Sequence, residues 1–128
     1  MKASDLFVKC LEEEGVTRIF GVPGEENADF MISLKQSKKI EFILCRHEQA
    51  AAFMADAYGR LTGKAGVCLS TLGPGVTNLM TGLADANMDR SPVVAIIGQG
   101  STNRLHKESH QIMDSISMVH PISKWAQT

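Results

Sequence analysis

The sequence predicts an α/β fold, a doubly wound and mainly parallel sheet with helices on both faces. Three observations predict it. Strand-like and helix-like patterns alternate at least four times with short connections. The run Ala65-Gly66-Val67-Cys68-Leu69-Ser70-Thr71 is almost wholly apolar or small, as a central parallel strand covered on both faces requires. Polar or Gly/Pro-rich corners follow the strand patterns, and that is the edge at which open α/β sheets bind ligands.

The elements follow in order. Residues 4–14 read as a helix: Ser4 or Asp5 caps it, Leu6, Phe7, Cys10 and Leu11 make one apolar face, and Gly15 stops it. Residues 17–20 are a short strand, and Gly21-Val22-Pro23-Gly24 is a tight loop. Glu25-Glu26-Asn27 place negative charge at the next helix start, favourable with its dipole. That helix turns Phe30, Met31 and Leu34 inward and frays near Ser37. Residues 38–44 give a second strand, and residues 47–61 a third helix ended by Gly63. Its many alanines leave one side thin, so another helix or a backbone can approach closely. The third strand, residues 65–71, turns at Gly73-Pro74-Gly75 into a helix over residues 76–88. Ser91-Pro92 opens a fourth strand, residues 93–97, ending at Gly98-Gln99-Gly100. Residues 101–111 form a polar loop of functional length. A short helix within residues 112–118 and an edge strand over residues 121–125 complete the expectation.

The chain has 128 residues, enough for one compact domain with its own core. Hydrophobic residues make up 44% and charged residues 21%, the balance of a globular protein. A net charge of −1 leaves no electrostatic footprint for nucleic acid or an anionic membrane surface. The longest apolar run, Val93–Ile97, is strand-sized, far below the roughly 18 residues of a membrane span. The first residues enter the amphipathic pattern directly, without the apolar core of a signal peptide. Cys10, Cys45 and Cys68 are odd in number, widely spaced and set among apolar neighbours. They read as buried small hydrophobes in a reducing, cytoplasmic setting, with a nucleophilic Cys45 beside His47 as the minor alternative. The chain stops at Gln127-Thr128 without a capping pattern, so a piece of a longer protein is expected.

The stretch Cys45-Arg46-His47-Glu48-Gln49-Ala50-Ala51-Ala52-Phe53-Met54 puts a carboxylate where a strand hands over to a helix. A glutamate in a first helical turn ordinarily faces water and complements the dipole. Were Glu48 buried against a ligand, desolvation would disfavour its charge while the helix N-terminus favoured it. A carboxyl held between those pulls can share a proton with a ligand nitrogen. Both readings stand at this point. The corner Leu69-Ser70-Thr71-Leu72-Gly73-Pro74-Gly75-Val76-Thr77-Asn78 is either an anion-binding helix start or a plain strand-to-helix connection. It is neither a Walker loop nor GxGxxG. His106 and His110 stand four apart, as metal ligands on a helix do, but their segment is not convincingly helical and no third ligand is evident, so no metal site is assigned. His110-Gln111 better suits contact with a substrate or cofactor. Arg104 and Lys107 either attract a carboxylate or are solvated.

Four motifs occur in order and at close spacing: Phe20-Gly21-Val22-Pro23-Gly24, Arg46-His47-Glu48-Gln49-Ala50-Ala51-Ala52-Phe53-Met54-Ala55, Tyr58-Gly59-Arg60-Leu61-Thr62-Gly63-Lys64 and Gly73-Pro74-Gly75-Val76-Thr77-Asn78. The set resembles the N-terminal pyrimidine-binding domain of thiamine diphosphate enzymes of the acetolactate synthase group, over essentially residues 1–128. The resemblance implies the thiamine-diphosphate-binding fold. It also implies that Glu48 hydrogen-bonds N1′ of the cofactor's aminopyrimidine and so favours the imino tautomer, whose 4′-nitrogen takes the proton from thiazolium C2. It places Val22, Pro23, Gly24, Thr71, Pro74 and Asn78 around the pyrimidine, and Gln111 near the thiazolium and the bound intermediate. The implied reaction is decarboxylation of pyruvate and carboligation with a second 2-keto acid, as in branched-chain amino acid biosynthesis.

Two positions depart from the pattern. Leu72 stands where many relatives have serine. His110 stands where biosynthetic enzymes usually have phenylalanine and the catabolic, pyruvate-specific type has His-Gln, which tilts the substrate toward two pyruvates. The family's Mg2+ and diphosphate motif is absent and belongs to a C-terminal domain. The resemblance therefore implies half a site, completed by the diphosphate-binding domain of a neighbouring subunit in a homodimer or homotetramer held through the alanine-rich helix. The isolated 128 residues are expected to be inactive. FAD use stays open, because the family's FAD contacts lie largely outside this domain. Two alternatives remain: another thiamine diphosphate decarboxylase or carboligase, and a non-catalytic flavodoxin-like ligand-binding or assembly module.

Overall fold

A computed structural model describes residues 1–105 and 107–128. His106, half of the histidine pair weighed above, lies outside the described residues. Four parallel strands, β1 (Arg18–Gly21), β2 (Glu41–Leu44), β3 (Gly66–Ser70) and β4 (Val93–Ile97), form one sheet in the order β2-β1-β3-β4. The helices are α1 (Ala3–Glu13), α2 (Ala28–Gln36), α3 (Glu48–Thr62), α4 (Pro74–Met88) and the short α5 (Ser115–Val119).

Side-chain alternation along the strands sorts the core into two layers. Ile19, Val67 and Leu69 face Val8 and Leu11 of α1 and Phe30 and Leu34 of α2. Phe20, Cys68 and Ala95 face Ala51, Ala52 and Ala55 of α3 and Leu79 of α4. The doubly wound expectation holds, and β3, buried at every position, is its central strand. The chain steps outward from β1 to β2, then returns past β1 to β3 and on to β4. Right-handed crossovers in opposite directions put α2 and α3 on opposite faces. The reversal makes the C-terminal ends of β1 and β3 the switch point, the place where open α/β sheets bind ligands.

Helix α3 ends as its sequence demands, at Gly63 with φ 69°, whose N–H bonds the Gly59 carbonyl at 2.9 Å. The thin face of α3 lies on β3 and α4, with Ala51, Ala52 and Ala55 fully buried.

Several expectations need correction. Leu6 and Phe7 of α1 are 51% and 43% exposed and Cys10 is exposed, so neither the four-residue apolar face nor a buried Cys10 exists. Polar anchoring sets the helix rotation: Ser33 Oγ donates to Asp5 Oδ1 at 2.7 Å and lies 2.8 Å from Ser4 Oγ, which leaves Val8 and Leu11 facing inward. Met31 is only half-buried. Residues 25–27 form a separate 3-10 turn (Glu25–Asn27) ahead of α2. Residues 38–40 are not strand, because Ser37 Oγ accepts the N–H groups of Lys39 and Ile40 in a local turn. Helix α4 starts at Pro74, whose fixed φ suits a first helical position. No edge strand covers residues 121–125. Pro121 belongs to the 3-10 turn His120–Ile122 that follows α5, where a residue without an N–H is tolerated and a ladder would not tolerate it.

Candidate functional site

Three connections meet at the C-terminal edge of the sheet. The first leaves β1 through Val22, Pro23 and Gly24. Asn27 Oδ1 accepts the Gly24 N–H at 2.9 Å and fixes the loop. A Cβ on Gly24 would stand 2.6 Å from Thr71 Cβ and Oγ1, so this loop rests directly on the corner after β3. Thr71 Oγ1 also donates to Glu26 Oε2 at 2.8 Å. By sequence Glu26 is charge at a helix start; its bond to a corner 45 residues away carries no local signal.

The second connection leaves β2 and enters α3. His47 caps the helix, its Nδ1 accepting the Gln49 N–H at 3.1 Å. Glu48 is the first helical residue and is 9% exposed, against the 73% of the exposed Asp29 side chain. The solvated reading of Glu48 therefore gives way to a buried one. The adjacent Cys45 is also buried, and burial pushes its thiol up. Its sulfur is directed at Ile43 O, 3.6 Å, and Met54 Sδ, 3.7 Å. A buried thiol kept protonated and turned toward a carbonyl and a thioether is no nucleophile.

The third connection leaves β3 through Thr71 and Leu72 and enters α4. Gly73 adopts φ 56° and ψ −116°, and a Cβ there would meet the Gln111 carbonyl oxygen at 2.5 Å. The polar loop thus folds back on the glycine turn, bringing the Gln111 backbone to the same edge; Gln111 itself has φ 57° and is exposed. Pro74 is exposed and Asn78 half-buried. Leu72 is 1% exposed, so the departure at this position is absorbed by the core.

Glu48 and Asn78 meet across two helices: Asn78 Nδ2 donates to Glu48 Oε2 at 2.9 Å. No described lysine, arginine or histidine pairs with Glu48. Its other oxygen, Oε1, makes no hydrogen bond with a described residue, and lies 3.5 Å from where a Cβ on Gly75 would stand. A side chain at position 75 would thus stand in ordinary contact with Oε1. A buried carboxyl with one oxygen tied by a neutral donor and one free can accept from, or hand a proton to, a ligand nitrogen. The donor set fits an aminopyrimidine ring presenting such a nitrogen.

Two grooves lie elsewhere. One of about 1060 Å³ runs along β4, Ala86 and Trp125. The other, about 390 Å³, lies between Phe7, Phe30 and the end of β4. Neither includes Glu48. Among the described residues no three His, Cys, Asp or Glu side chains cluster as a metal site, and no helix is long and apolar enough to cross a membrane.

Comparison with known proteins identifies the family. Residues 1–118 match the family model for the thiamine pyrophosphate enzyme, N-terminal TPP binding domain. The chain is 47% identical over 125 residues to an acetolactate synthase of Bacillus subtilis, covering 98% of this chain and 22% of that protein. It is 47% identical over 124 residues to a probable acetolactate synthase large subunit of Methanocaldococcus jannaschii, covering 97% and 21%. It is 48% identical over 123 residues to a catabolic acetolactate synthase of Raoultella terrigena, covering 96% and 22%. The chain spans about a fifth of the length of these curated relatives. It belongs to the thiamine pyrophosphate enzymes, as an N-terminal TPP-binding domain of the acetolactate synthase family.

Proposed function

We propose that this chain supplies the cofactor-activating half of an acetolactate synthase site, with Glu48 as the proton-exchanging group. The observation that carries the reading is the Glu48 carboxyl: buried at the switch point and, among the described residues, without a cationic partner and with Oε1 free beside Gly75. Thiamine diphosphate, when bound, supplies the electron sink for decarboxylation of a 2-keto acid. Glu48 holds the proton shared with N1′ of the pyrimidine. Val22, Pro23, Gly24, Thr71 and Pro74 shape the walls around that ring, their support being the Gly24–Thr71 contact that closes two corners on each other. Gln111 serves on the substrate side, its support being the contact of its backbone with Gly73.

The substrate proposed is pyruvate, in both the decarboxylated and the acceptor role, on the strength of His110-Gln111; a second keto acid as acceptor would serve branched-chain amino acid biosynthesis. Identities of 47% and 48% to large-subunit and catabolic relatives favour neither. Mg2+ and the diphosphate are assigned to a separate domain of a neighbouring subunit in a cytoplasmic homodimer or homotetramer. The alanine face of α3 is taken up inside the domain, so assembly through α3 would use its other side, where Phe53 and Met54 are 37% and 45% exposed.

The test is Glu48→Gln in the protein that carries this domain, assayed for acetolactate from pyruvate with thiamine diphosphate and Mg2+. Glutamine keeps the shape and cannot exchange the proton. A loss of roughly two to four orders of magnitude in rate is expected. An unchanged rate would make Glu48 ordinary helix decoration. An inert wild-type protein would direct the assay to other 2-keto acids.

A further inference from the structure

We infer that Asn78 is a positioning residue that acts through Glu48, and that helix α4 presets which carboxylate oxygen the ligand meets. This rests on the reading of Glu48 given above. The two residues are 30 positions apart and stand on different crossovers, Glu48 at the first position of α3 and Asn78 in the second turn of α4. A carboxylate at the end of a flexible side chain can present either oxygen, and its plane can rotate. The 2.9 Å bond from Asn78 Nδ2 to Oε2 removes that freedom. Oε1 is then the oxygen left for a ligand, on the side of the Gly75 turn.

The spacing of the two helices is set one turn further along each. Ala52 lies four residues after Glu48 and Gly82 four after Asn78. A Cβ on Gly82 would come within 2.6 Å of Ala52 Cβ and 3.0 Å of the Phe53 nitrogen. Two helix backbones in direct contact cannot drift together or apart without breaking that packing, so the bond above them is held at length. The choice of asparagine also follows from the chemistry. A lysine or arginine at position 78 would pair with the carboxylate and fix its charge. An aliphatic residue would leave Oε2 without a donor. A neutral amide orients the group and leaves it free to gain and lose a proton.

The experiment is a double-mutant cycle in the protein that carries this domain, loaded with thiamine diphosphate and Mg2+. Its members are wild type, Asn78→Ala, Glu48→Ala and the double variant. kcat and KM are measured with pyruvate, and cofactor Kd by calorimetry. Asn78→Ala is expected to lower kcat roughly 10- to 100-fold, the worth of a hydrogen bond to a charged group, with Kd changed by less than about threefold. In the Glu48→Ala background the same substitution is expected to change kcat by less than about twofold, since a residue acting through another has nothing left to act on. Asn78→Leu, branched at the same carbon but without any donor, should reproduce the kcat loss; it decides the matter if Asn78→Ala does not fold. The proposal is overturned if the two losses multiply, or if either Asn78 variant weakens cofactor binding more than about tenfold whether or not Glu48 is present, the mark of direct contact with the cofactor. A Glu48→Ala protein with normal kcat and Kd would overturn the reading of Glu48 itself. An impaired Glu48→Ala protein with multiplying losses would overturn only the role of Asn78.

Discussion

Gly82→Ala sets two forces of opposite sign against each other. Gly82 sits in the interior of α4, where alanine is intrinsically better than glycine by about 1 kcal/mol. Propensity alone therefore predicts a stabilised chain. Packing predicts the reverse. The new methyl would lie 2.6 Å from Ala52 Cβ, 3.0 Å from the Phe53 nitrogen and 3.1 Å from the Ala52 carbonyl carbon. Carbon pairs settle at roughly 3.5–4.0 Å, so the shortfall is about 1 Å. No rotamer relieves it, because a methyl and backbone atoms have none. The helices must separate, which loosens Leu79 and Ala55, both fully buried between them and β3. Overpacking of this kind costs about 1–3 kcal/mol. A loss of up to about 2 kcal/mol remains after the propensity gain, a fall in Tm of about 4 °C for each kcal/mol. Urea denaturation of the chain at constant m reads it directly. Pairing the change with Ala52→Gly removes the closest contact, so the double variant should lose less than the sum of the two singles. A Gly82→Ala chain more stable than wild type would refute the argument that α3 and α4 are in backbone contact, and with it the spacing ascribed to the Glu48–Asn78 bond.

Three further outcomes are expected. In the native chain an aromatic disulfide reagent should label Cys10 quickly and leave Cys45 and Cys68 untouched, since burial pushes the Cys68 thiol up to about 12; denaturant should release all three. Asp56 is buried and the Arg60 guanidinium holds its carboxyl below the ordinary range. Its contribution is complete above the unfolded value of roughly 3.9 and lost as pH falls through the lower folded one. The difference in urea midpoint between wild type and Asp56→Asn should therefore be largest near neutrality and shrink below about pH 4; a difference independent of pH would count against the pairing. Finally, the isolated 128 residues should not consume pyruvate with thiamine diphosphate and Mg2+ present, and turnover by a contaminant-free sample would show that the site needs no second domain.

What the sequence made legible follows from how local each signal is. The alanine run and Gly63 gave α3 nearly to the residue, because a thin face and a left-handed stop are properties of consecutive residues. The apolar run at β3 announced a strand covered twice over, and the structure buries all five of its positions. The failures are contacts between distant segments. The rotation of α1 was misread because Ser33, on another helix, decides it through Ser4 and Asp5. Cys10 went with that error. The turn after α5 reads as a strand in the sequence because Ile122 and Trp125 carry no tertiary information of their own. Glu48 shows the same division. Its place at the start of a helix was readable from its neighbours, whereas its burial required α4 and the turn at Gly75, about 30 residues on.

The three levels of contact between α3 and α4 explain why so many small residues stand in them. At one end Asn78 binds Glu48, in the middle Gly82 meets Ala52, and at the other end Arg60 donates to Asp56, to Asp85 at 2.9 Å and to Asp89. Bulky residues in the middle would force the helices apart, and the polar contacts at the two ends would have to follow the change in spacing. A pair of helices joined only by larger apolar side chains could slide along a ridge, whereas backbone contact between two polar anchors has one register. The alanines that look like simple helix formers in the sequence are thus tied to the site. They let α4 come close enough for a neutral amide to hold one oxygen of a buried carboxyl, leaving the other oxygen clear beside Gly75.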